Sequence, residues 1–169
     1  EIGSAYPLDD RAEASAEMQR IFEEDQKVRQ DPGSLSSQDW AVIGPQDAER
    51  RAQTGKLLAE GRLHTAEDFS RAAFVFQHGS TPDDYLLAHT LAMIAVAKGS
   101  EDALWIGSAT LDRYLQSVGK PQIYGTQFRQ DANKAATQQP YDEDLVSDAL
   151  RRQLGVPSRA AQKEQLKRY

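Results

Sequence analysis

A carboxylate stands where this sequence calls for an aliphatic side chain. Met18, Ile21, Phe22 and Val28 recur at helical spacing, and Asp25 falls three residues after Phe22, four after Ile21 and three before Val28. That position lies near the middle of an apolar stripe. A buried carboxylate is costly unless it is paired or hydrogen-bonded. Arg29, four residues on, shares the face and is the nearest partner along the helix. Two readings follow. Asp25 and Arg29 form an internal ion pair that fixes packing, or Asp25 faces a cleft as an acid, a base or a ligand.

Four further groups of residues carry similar potential. Gln77 and His78 close a helix whose preceding run, AAFVF, is apolar on all sides, so this end is expected to be buried. There His78 can cap carbonyls or transfer protons. His89 shares a helix face with Leu86, Met93 and Val96 and should point partly inward. Asp112 and Arg113 are adjacent in LDRYLQ; neighbours on a helix do not face each other, so each should reach a different partner across helices. Finally, GKPQIYGTQF carries Gln122, Tyr124, Thr126 and Gln127 alongside Ile123 and Phe128, too many polar groups for a passive connection. Ile123 and Phe128 read as anchors in the core. The polar members read as a surface turned toward Asp25, Arg29 and His78, with Gly125 permitting close backbone approach.

Metal chemistry has little support in these residues. His78 and His89 flank a turn unequally, which offsets them by roughly 9 Å along a helical hairpin. No HExxH or paired ExxH spacing occurs. No metal and no cofactor are expected. His64 lies in a turn and is expected to be solvated. There is no cysteine, which excludes disulfides, zinc–thiolate sites and cysteine nucleophiles. No Gly-x-Ser-x-Gly elbow appears, which disfavours a serine hydrolase. With 20 basic and 26 acidic residues, a net charge of −6, the chain lacks the basic stripe that nucleic acid or an anionic membrane surface requires. The longest apolar runs, AAFVF and LAMIAVA, are too short to span a bilayer, so no membrane insertion is expected.

The elements that must position these residues are helical. The 169 residues, 39% of them hydrophobic, suit one all-α, up-and-down domain of about six helices. The first helix is expected over about 10–30. The stretch QDPGSLSSQDWAVIGPQD, with two prolines, two glycines and a serine cluster, reads as a long loop, pinned by Trp40, Val42 and Ile43. A second helix is expected from near Pro45 to Gly61. A third follows a Thr65–Asp68 capping box and reaches Gln77 or His78. Thr81, Pro82, Asp83 and Asp84 make a strong start for a fourth, which closes on Gly99. The fifth opens on Ser100–Asp102 and ends near Val118. The irregular QIYGTQF segment comes next. Asp142 is expected to cap a sixth helix with Leu145, Val146, Ala149, Leu150 and Leu154 on one face, and a short helix closes the chain within 156–169. The sequence begins on Glu1, which predicts a processed or trimmed chain. Residues 1–9 read as a flexible or appended lead-in. A cytoplasmic chain and an exported one freed of its leader fit equally.

Four strings taken together, FEEDQKVRQ, FQHGSTPD, LDRYLQSVGKPQIYGTQF and ALRRQLGVPS, resemble the bacterial domain-of-unknown-function family 6624 across about residues 18–158. The resemblance implies a characteristic set of Asp25, Gln26, Arg29, Gln77, His78, Asp112, Arg113, Gln122, Tyr124, Gly125, Thr126 and Gln127. It implies no particular activity, and His89 lies outside the motif. A polar set drawn from four segments points to one shared central site. As an enzyme acting on a small polar or peptide-like substrate, hydrolase-like or otherwise acid–base, the chain would use His78, Asp25 and Asp112 for catalysis. Arg29, Gln77, Arg113, Gln122, Tyr124, Thr126 and Gln127 would bind the ligand. The alternatives are a non-catalytic module for a small polar ligand or a protein partner, of inhibitor or immunity type, and a purely structural buried network.

Overall fold

The computed structural model describes residues 8–131 and 134–169. The lead-in expected over 1–9 therefore lies mostly outside the described residues, and α1 already begins at Leu8. Among the described residues seven α-helices follow one another: α1 (Leu8–Lys27), α2 (Ser37–Ala59), α3 (Ala66–Phe76), α4 (Pro82–Ala97), α5 (Ala103–Ser117), α6 (Asp148–Gln153) and α7 (Arg159–Leu166). The described residues contain no named strand, only isolated bridges at Gln122–Tyr141 and Arg129–Thr137. The fold is all-α.

Local chemistry sets the helix starts. Ser36, Thr65 and Thr81 each close a capping box with an Asp three residues on, Asp39, Asp68 and Asp84. Asp serves in place of the usual Glu because its shorter reach still meets the cap N–H. Gly61, Gly99 and Gly119 take positive φ where α2, α4 and α5 end; the links after Gly61 and Gly99 are short and turn back, so the helices they join pack side by side, whereas Gly119 opens the long segment that leads to α6.

α3 lies centrally, against α1, α2, α4 and α5. Ala14, Met18 and Ile21 of α1 meet Ala72, Ala73, Val75 and Phe76 of α3, and Leu91 joins them from α4. Between α4 and α5 the side chains are small: Ala88, Ala92 and Ala95 against Ala103, and a Cβ on Gly107 would sit 3.5 Å from that of Ala92. This close approach lets His89 Nδ1 reach Gly107 O at 2.8 Å, a cross-helix tie that explains its inward lean. An aromatic row, Phe22 edge-on to Phe74 and Phe74 stacked on Trp105, joins α1, α3 and α5.

Two segments depart from expectation. Of the stretch read as a loop, the part up to Ser36 is a connection with one 3-10 turn at Pro32–Ser34, but from Ser37 on it is the start of α2, which carries Pro45 inside it. Proline normally drives the preceding residue out of the helical region through a clash with its Cβ, but that residue is Gly44, which has none. The carbonyl left without a donor belongs to Ala41, which is exposed and can be hydrated. The expected sixth helix is shorter and capped by Ser147, not Asp142. The carbonyls of Glu143 and Val146 are taken instead by the fully buried guanidinium of Arg151, and Leu145 and Leu150 face outward.

Candidate functional site

Asp25 closes the buried stripe Ala14–Met18–Ile21–Asp25 of α1 and is 0% exposed. Its Oδ1 accepts from Arg29 Nη1 at 3.2 Å and contacts His78 Nδ1 at 3.0 Å; its Oδ2 accepts from Gln26 Nε2 at 2.9 Å. α2 supplies the opposite half. Asp47 accepts from Arg29 Nη2 and from Arg50 Nη2, each at 2.5 Å. Arg50 Nε lies 3.6 Å from Asp25 Oδ1, an ionic contact too long for a hydrogen bond. Two carboxylates and two guanidiniums thus form a closed quartet in which each acid touches both bases.

His78 stands at the rim of this quartet, its side chain 16% exposed. Facing a carboxylate, Nδ1 carries the hydrogen, which leaves Nε2 as the ring's acceptor. The backbone around it is held from three sides. Gln77 O accepts from Arg113 Nη1 of α5 at 3.4 Å, His78 O from Arg51 Nη1 of α2 at 2.7 Å, and Gly79 O from the Tyr85 hydroxyl of α4 at 2.9 Å. Carbonyls at a helix end lack intrahelical donors, so these side chains satisfy them while fixing the histidine. Gln77 itself is buried and contributes that carbonyl.

Arg29, Trp40, Asp47, His78 and Arg113 line a cleft of about 400 Å³ above the quartet. Arg113 differs from Arg29 and Arg50 beside it in entering no ion pair among the described residues. Its only hydrogen bond among the described residues is the long one to Gln77 O, and its buried Nε has no partner. Burial pushes its pKa down, and the positive charge of Arg29 adds to this, against an opposing influence from Tyr85.

The remaining expected site residues form a second network, on the other side of α5. Asp112 is fully buried and accepts from Ile123 N (2.8 Å), Tyr124 N (3.0 Å), Thr126 N (3.0 Å) and Thr126 Oγ1 (2.8 Å). Gln122 donates to Gln127 O and Gln138 O, and Gln127 Nε2 donates to Ala109 O and Thr126 Oγ1. Gly125 has φ +79°, and a Cβ there would sit 2.0 Å from Gln162 Oε1 and 2.4 Å from the Tyr141 hydroxyl. The backbone approach expected at Gly125 exists, but its neighbours come from α7 and the stretch before α6, not from α1. No hydrogen bond of Gln122, Tyr124, Thr126 or Gln127 reaches Asp25, Arg29 or His78 among the described residues. Tyr124 instead lines a small apolar pocket with His89, Met93 and Leu154, and burial, then the charge of Asp112, raises its pKa. Ile123 and Phe128 are half-buried, outside the main core, and Phe128 stacks on Tyr169 at 5.4 Å.

The single central site expected from the sequence therefore divides. Asp25, Arg29, His78, the Gln77 carbonyl and Arg113 come together; Asp112 and the QIYGTQ residues assemble elsewhere. His64 is not simply solvated, since its Nε2 is buried without a partner; burial, then Arg11, lowers its pKa. Asp47 and Arg50 were not singled out from sequence. Their signal is the stripe Ile43–Asp47–Arg50–Thr54–Leu57, spaced four, three, four and three, all buried. From Asp47 to Leu57 it lies within the helix expected from Pro45, and Ile43 joins it because α2 begins at Ser37.

No helix among the described residues is long and apolar enough to cross a membrane, and among them no group of three His, Asp or Glu side chains is placed to hold a metal. Compared with family models, curated proteins and solved structures, the chain matches none.

Proposed function

We propose that this chain is an acid–base enzyme, hydrolase-like in its equipment, acting on a small polar substrate in the cleft above Asp25. His78 transfers the proton through Nε2. Asp25 is a positioning residue that holds the ring and its tautomer. The observation that carries this reading is the 3.0 Å contact between His78 Nδ1 and a carboxylate with no exposure, at the rim of an open cleft. A structural histidine needs no buried acid behind it; a general base gains orientation and a stabilised cationic form from one.

The test is turnover of a panel of small amides, esters and dipeptides, followed by mass spectrometry. His78→Ala should lower the rate by about 10²–10⁴-fold while the protein stays folded. Asp25→Asn should lower it too and change the ¹⁵N tautomer signature of the His78 ring. No turnover of any member, or undiminished turnover by the His78 variant, would overturn the reading.

One observation favours a static alternative. Asp25 already contacts Gln26, Arg29, Arg50 and His78, which is full pairing for a carboxylate. As a clasp between α1, α2 and α3, the cluster would give variants that lose stability with no substrate consumed.

A further inference from the structure

We infer that the cleft holds a carboxylate group, seated on Arg113. This rests on the cleft being the working site and names the chemistry of what enters it.

The inference comes from a charge count. Asp25 and Asp47 face Arg29 and Arg50, and every acid–base pairing among the four lies within 3.6 Å. That quartet is neutral and closed. Arg113 lines the same cleft and enters no ion pair among the described residues. Its hydrogen bonding is one 3.4 Å contact to Gln77 O, and its Nε is buried and unpartnered. A guanidinium has five N–H donors, and a largely desolvated one with a single long contact is a cation lacking its counter-ion. The like charge of Arg29 nearby makes the deficit larger.

Against the neutral quartet, Arg113 leaves a surplus of one positive charge. One negative charge balances it. A carboxylate carries one, and its two oxygens match the planar guanidinium fork. A phosphate monoester near neutral pH carries close to two and would leave the site overcompensated. The exposed indole of Trp40, 45% accessible, forms one wall and offers an apolar surface for the body of a small acid.

Trp40 also supplies the assay. The chain has two tryptophans, and Trp105 stacks on Phe74 away from the cleft, so Trp105→Phe leaves a single reporter. Four probes are titrated against its fluorescence: acetate, N-acetylglycine, the neutral N-acetylglycinamide, and inorganic phosphate. Saturable changes with acetate or N-acetylglycine and none with the amide are expected. A clear preference for N-acetylglycine over acetate assigns the group to a peptide C-terminus, and equal binding assigns it to a free small acid. Arg113→Met should weaken carboxylate binding by about ten- to a hundredfold, and Arg113→Lys by less, since it keeps the charge and loses the fork. The acid–amide comparison is made on the Trp105→Phe protein and stands even if the Arg113 variants fold poorly.

Binding of phosphate in preference to the carboxylates would overturn the inference. So would equal binding of acid and amide, or the absence of any saturable change. The outcome is separable from the enzymatic reading. Carboxylate binding with no turnover of any substrate sinks the enzyme and leaves the seat on Arg113 intact. Turnover that depends on His78 but shows no preference for acids does the reverse.

Discussion

Replacing Asp112 by asparagine should cost this fold about 3 kcal/mol, and the number follows from four contacts. Each carboxylate oxygen takes two donors: Oδ1 from Ile123 N and Tyr124 N, Oδ2 from Thr126 N and Thr126 Oγ1. An asparagine keeps one acceptor and puts an NH₂ in place of the other. The least costly orientation places the NH₂ at Oδ2, because the Thr126 hydroxyl can rotate to accept from it. The Thr126 N–H cannot rotate and is left facing a donor, at about 1–3 kcal/mol for a buried orphan. The two bonds kept at Oδ1 fall from charge-assisted to neutral strength, losing roughly 1 kcal/mol each. Relief from burying a charge returns part of that.

For a chain of this length, 1 kcal/mol moves the melting temperature by about 2–4 °C, so Asp112→Asn should melt about 6–12 °C lower. Urea unfolding should show the same deficit as a lower midpoint at unchanged slope. A loss below about 1 kcal/mol would refute the assignment of Asp112 as the organiser of the QIYGTQ segment. So would a variant of native stability that has lost turnover, since Asp112 would then belong to the chemistry, as the sequence alone invites one to expect.

Two further outcomes are expected. Gly125→Ala should destabilise by more than about 2 kcal/mol, since the added Cβ collides with Gln162 and Tyr141 at a positive φ; Gly61→Ala, at a similar φ in open space, should cost only about 1 kcal/mol. Equal midpoints for the two variants in urea would show that the contact at Gly125 is not close. Stability should also fall on acidification through Asp68. Burial alone would raise its pKa, but the N–H groups of His64 and Thr65 and the hydroxyls of Ser15 and Thr65 outweigh it, and the folded value lies below the usual carboxylate range. A depressed folded pKa contributes stability that is present above the unfolded value, near 4, and is lost as pH falls through the folded one. Asp68→Asn should therefore be less stable than the parent at pH 7, with the gap narrowing toward pH 3; a constant gap would show that Asp68 does not contribute this slope.

Much of this was legible in the residues. Asp25 and Arg29 stand four apart on a stripe whose period is unambiguous, so their pairing needed no tertiary knowledge. Thr65, Thr81 and the closing glycines mark helix ends by chemistry that acts within one turn. What was not legible depended on contacts distant in sequence. Arg151 turns the Glu143 and Val146 carbonyls inward, and nothing near Asp142 announces that. Gly44–Pro45 reads as a breaker because proline usually is one; only the missing Cβ before it, and the Ser36–Asp39 box upstream, argue otherwise. Asp47 and Arg50 fall inside the helix expected from Pro45, but their pairing with Arg29 and Asp25 is set by how α2 packs on α1, so the half of the quartet that α2 provides stayed hidden.

The division of the polar set in two follows from one adjacency. Asp112 and Arg113 are consecutive on α5, and consecutive residues on a helix point about 100° apart. They cannot serve one site, but they can couple two. Asp112 faces the QIYGTQ segment and is saturated by it; Arg113 faces the cleft and touches the Gln77 carbonyl beside His78. The buried network of Gln122, Gln138, Gln162 and Arg151 thus anchors the last turns of α5. Those turns in turn fix where a lone guanidinium stands relative to the histidine. Loosening Asp112 should therefore weaken carboxylate binding at Arg113 without touching the cleft, and by less than removing Arg113 itself. A full-affinity cleft in a destabilised Asp112→Asn protein would show instead that the hold on Arg113 comes from α3 through Gln77.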